Sequence, residues 1–154
     1  MFDDKFLDSL FNKVFEFHMA SPARSIIKRS DDGFTFTYNP DFKDGISIDF
    51  MAQRGEYWLA CNGWHEHSEF IGLNANSSEE DKAQRGADQL ASILNGQARL
   101  EVHRAGSIAY KWIMIFGESN NTTGLLLYPF WLRKSTKILK NNVPIQHLKN
   151  NPWK

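Results

Sequence analysis

Apolar residues recur at helical spacing through residues 2–18, at Phe2, Phe6, Leu7, Leu10, Phe11, Val14, Phe15 and His18, while Asp3, Asp4, Asp8, Lys13 and Glu16 fall mostly elsewhere. The spacing predicts an amphipathic helix. Asp3 and Asp4 suit the positive end of its dipole, and Ser21-Pro22 stops it, because the residue before proline disfavours helical geometry. From residue 24 the period drops to two. Short alternating runs at 24–29, 34–38, 45–51 and 56–62 are separated by turn residues at 31–33, 39–41 and 53–55, which reads as an antiparallel meander. Phe34, Phe36 and Tyr38 alternate with Thr35 and Thr37, and Ile46, Ile48 and Phe50 with Ser47 and Asp49. Such alternation gives the sheet one buried face and one wet face, and a helix must cover the buried one.

The helical period returns after a polar stretch. Ser77 with Glu80 three residues on fits a capping box, so residues 78–94 are predicted helical, with an apolar stripe of Ala83, Ala87, Leu90, Ala91 and Leu94. The small alanines point to close approach to the sheet, and Asn95-Gly96 supplies the left-handed residue that ends helices. Residues 98–104, 107–116 and 123–130 then read as strands, with Ala105-Gly106 a tight hairpin and 117–121 a longer polar loop. Residues 134–140 read as an edge strand whose lysines discourage pairing with other chains, and 141–154 as an extended tail carrying Trp153. The whole predicts one α+β domain over residues 1–154, an antiparallel sheet packed against an N-terminal and a central helix.

Composition fits that reading. A 154-residue chain with 42% hydrophobic residues makes one core and buries about two-thirds of its unfolded surface. Twelve Phe, five Trp and four Tyr supply much of that burial and exclude a disordered chain. The single cysteine, Cys61, cannot form an intramolecular disulfide, the N-terminal residues lack the pattern of a secretory signal, and no apolar run reaches membrane-spanning length. The expectation is a soluble cytoplasmic protein with no membrane partner.

The formal net charge of zero hides a split: residues 1–118 hold all 18 acids, and residues 119–154 hold six bases and no acid. One reading is internal neutralisation of body and tail. The sharper one is a docking face for a basic partner, built from Asp31, Asp32, Asp41, Asp44 and Asp49. Nucleic-acid binding through Trp131, Arg133, Lys134, Lys137 and Lys140 is disfavoured, since these groups make few phosphate contacts and the acidic body opposes them.

Candidate chemistry concentrates in Gly63-Trp64-His65-Glu66-His67-Ser68-Glu69-Phe70. If the segment is extended, His65, His67 and Glu69 project from one face, a spacing able to approach a zinc or iron ion, with Glu69 or His103 as a possible third ligand. Against a metal stand the lone cysteine and the absence of a His-Glu-x-x-His helix. The plainer reading makes Trp64 a core anchor, with the His and Glu side chains bonded to one another or to loop backbone; a third makes the segment part of a partner-contacting surface. No phosphate-binding glycine loop or nucleophile elbow is present, and Cys61 lies in an alternating strand as a small hydrophobe.

After this segment come the helix-like stretch, Ile93-Leu94-Asn95-Gly96-Gln97-Ala98-Arg99-Leu100-Glu101-Val102 and Tyr110-Lys111-Trp112. Over residues 60–113 this order, Gly-Trp-His-x-His-x-x-Phe, helix, Asn-Gly turn and hairpin, resembles small bacterial immunity proteins encoded beside polymorphic and contact-dependent toxins. The resemblance implies a protein without catalytic activity or cofactor that binds and neutralises a cognate toxin domain, a nuclease being one kind. A nuclease must present cations to its own substrate, so the five aspartates above join Trp64, His65, Glu66, His67 and Glu69 as candidate partner-binding residues. The alternative expectation is a small metal-dependent or ligand-binding enzyme using residues 64–67.

Overall fold

The computed structural model describes residues 2–67, 78–124 and 131–145. Among the described residues two helices and nine strands form an α+β fold with two antiparallel sheets. Helix α1 (Lys5–Ala20) precedes strands β1 (Ser25–Arg29), β2 (Gly33–Tyr38), β3 (Ile48–Gln53), β4 (Glu56–Cys61) and β5 (Trp64–His67), which pair in chain order as a five-stranded sheet. Helix α2 (Glu79–Leu94) leads to β6 (Ala98–Ala105), β7 (Ile108–Phe116), β8 (Ser119–Gly124) and β9 (Lys134–Leu139), a second sheet of order β8-β7-β6-β9. The α+β class and the covering helices agree with the sequence pattern, while the strands, expected in one sheet, divide into two.

Local chemistry explains the element ends. Asp4 caps α1, its side chain accepting the Leu7 amide, and the helix buries Phe6, Leu7, Leu10, Val14 and Phe17. Phe17 therefore takes the inward place expected of Phe15, which is 43% exposed: the buried stripe steps by four from Phe6 to Leu10 to Val14 and then by three to Phe17. The capping box of α2 is Ser78 with Asp81, one residue beyond the predicted Ser77 and Glu80. Ser77-Ser78-Glu79-Glu80-Asp81 holds two overlapping serine-to-acid frames, and the helix starts on the second; Ser77 lies outside the described residues.

Both helices lie on the inner side of the sheets. Phe34, Phe36, Tyr38, Ile48, Phe50, Ala52, Tyr57, Leu59, Cys61 and Trp64 from the first sheet meet Leu100, Val102, Met114 and Phe116 from the second and the helix stripes in one core. Gly86 sets the approach of α2: a Cβ there would stand 2.9 Å from the Tyr57 ring. Among the described residues no helix is long and apolar enough to cross a membrane.

Two segments differ from their sequence expectation. Residues 119–124, predicted as loop leading into a strand at 123–130, form β8, closed on β7 by a two-residue turn in which Gly117 has φ 58°. Its asparagines have low strand propensity, yet pairing with the apolar β7 decides; residues 125–130 lie outside the described residues. The predicted tail is anchored at its start. Asn141, 3% exposed, accepts the Ile46 amide at 2.7 Å and donates to the Ile46 carbonyl at 3.0 Å, imitating a strand partner, while the Val143 amide donates to the Leu94 carbonyl at 2.9 Å. Trp153 lies outside the described residues.

Candidate functional site

The site is built on the β4–β5 hairpin. Asn62 and Gly63 have φ of 47° and 100°, the two left-handed residues of a tight turn that pairs Cys61 with Trp64. An Asn-Gly dipeptide between apolar alternations is a strong hairpin signal, and Asn62-Gly63 is one such turn. Gly63 also makes room for a ring: a Cβ there would fall 2.7 Å from Trp112.

The turn fixes which side chains of β5 point where. Trp64 is fully buried and Glu66 is 7% exposed, both on the inner face, while His65 is exposed and His67 half-buried on the outer face. His65 and His67 thus share a side as the two-residue period requires. Of the expected partner-binding residues, Trp64 is corrected to an internal position, because alternation turns it into the core, while Glu66, also turned inward, borders the cleft between β5 and β8. Glu69 lies outside the described residues.

Glu66 is the hub of a buried polar network joining both sheets and a helix. The Tyr57 hydroxyl donates to Gln89 Oε1 at 2.7 Å, Gln89 Nε2 donates to Glu66 Oε2 at 3.1 Å, and Asn121 Nδ2 donates to Glu66 Oε1 at 2.6 Å. The Trp64 indole N–H donates to the Asn121 carbonyl at 3.1 Å. Burial pushes the Tyr57 hydroxyl pKa up and keeps it a donor. Gln89 and Asn121 were missed by sequence reasoning: an amide on a helix and an asparagine in an apparent loop both look solvated until the sheets meet.

The sheets meet edge to edge at β5 and β8. Side chains seal the seam, with Thr123 Oγ1 donating to the His65 carbonyl at 3.3 Å beside the Trp64 and Asn121 contacts. There a cleft of about 480 Å³ opens, lined by Trp58 of β4, His65, Glu66 and His67 of β5, and Asn121, Thr122 and Thr123 of β8.

The outer face of the first sheet continues from this cleft. Pairing register sets Lys28, Thr35, Met51, Trp58 and His67 in one row across all five strands, and Ile26, Thr37, Asp49, Ala60 and His65 in the next. Ile26 is 54% and Met51 37% exposed, and Trp58 is half-buried.

The five aspartates do not form one patch. Asp49 stands exposed in the middle of that face, Asp31 and Asp32 occupy the β1–β2 turn, and Asp41 and Asp44 belong to the β2–β3 connection at the opposite end of β2. The last two are already paired, Asp41 with Arg24 at 3.0 Å and Asp44 with Lys137 at 3.4 Å. The Asp44–Lys137 pair joins the acidic body to the basic C-terminal part, as internal neutralisation requires.

Among the described residues no group of three or more His, Cys, Asp and Glu side chains is arranged to hold a metal. His103, considered as a third ligand, has Nε2 3.4 Å from Glu101 and Nδ1 3.4 Å from Thr136 on the second sheet. Cys61 is 1% exposed and burial raises its thiol pKa well above the usual range, which suits a core hydrophobe.

Burial also raises the Glu66 pKa, opposed by the Asn121 and Gln89 hydrogen bonds and then by Arg85. An acid whose folded pKa exceeds its unfolded value binds more protons folded than unfolded between the two, so ionisation removes stability as pH rises through that window. Glu66→Gln cannot ionise. The stability of wild type relative to this variant is expected to fall as pH climbs from about 4 through the upper glutamate range. Urea melts of both proteins at a series of pH values check this; a difference that stays flat or grows with pH refutes it.

The sequence matches no family model, and no curated protein or solved structure gives a significant match.

Proposed function

We propose that this chain is an immunity protein that binds a cognate toxin domain and blocks it sterically and electrostatically. The observation that carries the reading is the open outer face of the first sheet. Helices fill the inner side, while the outer side offers Ile26, Met51 and Trp58 among Lys28, Asp49, His65 and His67. A flat mixture of an aromatic, exposed aliphatics and separated charges suits protein recognition, in which a few anchors supply most of the affinity and charges set the association rate. The resemblance over residues 60–113 supplies the kind of partner. Trp64 serves the interface indirectly, by holding β5 and its two histidines in place.

The test is co-expression with the toxin domain encoded beside this chain, followed by binding kinetics on the purified pair. Protection of the host and a stable complex are expected. Within the complex, Asp49→Lys is expected to weaken binding to a basic toxin at least tenfold, with part of the loss in the association rate and a smaller salt dependence. Wild-type affinity for Asp49→Lys at low and high salt removes the electrostatic part of the proposal; absence of both protection and complex removes the function itself.

The competing reading, a small ligand-binding enzyme, draws on the concave cleft beside His65 and His67. Stoichiometric zinc or iron in the purified protein, lost in His67→Ala, favours it.

A further inference from the structure

We propose that the cleft between β5 and β8 is the anchor pocket of the interface and receives an arginine side chain of the partner protein, the guanidinium pairing with Glu66 and resting against Trp58. The inference depends on the binding function proposed above and names the group recognised.

Glu66 carries the argument. Its side chain lines the cleft, yet the residue is only 7% exposed. A carboxylate can accept about four hydrogen bonds. The two that Glu66 receives come from the neutral amides of Gln89 and Asn121. Among the described residues no cation stands within 4.0 Å of it. Arg85 of α2 acts on it as the weakest of four influences. A carboxylate so placed has lost much of its water and gained only the weak, more distant counter-charge of Arg85, and a cation brought to it gains more than at an exposed acid.

The rest of the lining fits a guanidinium. Trp58 presents a half-buried indole as a wall for a flat cation. Thr123 Oγ1 donates its proton to the His65 carbonyl, leaving its lone pairs to accept N–H groups. Among the described lining residues Glu66 is the carboxylate. Arginine suits the site better than lysine, because a planar fork can engage a carboxylate and lie against an aromatic face together. Buried arginines are also over-represented among the residues that dominate interface affinity.

The test uses the whole 154-residue chain, isotope-labelled. It is titrated with N-acetyl-arginine methylamide and, separately, with the citrulline compound, which keeps the shape and lacks the charge. Saturable shifts at the Trp58 indole N–H and the Asn121 side-chain amide are expected with the arginine compound, and binding at least tenfold weaker with citrulline. Glu66→Gln should abolish that discrimination. Trp58→Phe, which removes none of the hydrogen bonds to Glu66, should weaken arginine binding severalfold and serves if Glu66→Gln does not fold. Equal response to the two compounds, or shifts confined to other surfaces, overturns the proposal. The probe needs no toxin, so the two readings fail separately: neutralisation without arginine discrimination sinks the pocket alone, whereas discrimination without toxin binding sinks the immunity function and leaves a guanidinium site.

Discussion

Replacing Trp64 by alanine is expected to cost about 3–5 kcal/mol, the range for truncating a fully buried large aromatic. Trp64 is fully buried, sets its ring 6.2 Å from that of Phe116 across the two sheets, and donates its indole N–H to the Asn121 carbonyl. Alanine therefore opens a cavity and deprives a carbonyl of its partner at one place. Against a total stability of about 5–15 kcal/mol for a domain, such a loss leaves little margin. Urea unfolding followed by circular dichroism measures it. A loss under about 1 kcal/mol would mean that the seam between the sheets is not part of the cooperative core.

Asn141→Ala is expected to be nearly as damaging, about 2–6 kcal/mol, because it strips two buried backbone groups of their partners at about 1–3 kcal/mol each. Asn141 satisfies both the amide and the carbonyl of Ile46, and the same segment ties the Lys140 amide to the Asp44 carbonyl and the Val143 amide to the end of α2. Hydrogen exchange offers the sharper measurement: the amides of Ile46 and Val143 should lose protection before those of β3 and β6. Uniform loss across the molecule would show that the clasp has no independent opening.

These two residues also mark how far the sequence could be read. Where a side chain's fate depends on neighbours close in the chain, the pattern is legible: the alternations of β2 and β3 put Phe34, Phe36, Tyr38, Ile48 and Phe50 inside, and Gly96 ends α2 at φ 81°. The two-residue period also placed His65 and His67 on one side. Trp64 was legible as a core anchor because a large apolar ring has few other uses. Asn141, Gln89 and Asn121 were not, since polarity alone assigns an amide to solvent and only a distant partner can bring it inside. Glu66 was only half legible for the same reason: its place between two histidines points to the candidate site, whereas its burial depends on Gln89 and Asn121, 23 and 55 residues away. The division into two sheets escaped because period and turn chemistry specify adjacent strands and carry no information about where a ladder stops.

The way that ladder stops bears on how the molecule behaves in a crowded solution. Because β5 and β8 cap one another, the outermost strands of the described sheets are β1 and β9. Each displays bases, Lys28 and Arg29 on one and Lys134 and Lys137 on the other, at exposed positions. Two molecules joining their ladders through these borders would bring like charges together, so the arrangement disfavours fibre growth while leaving the broad flank of the first sheet accessible.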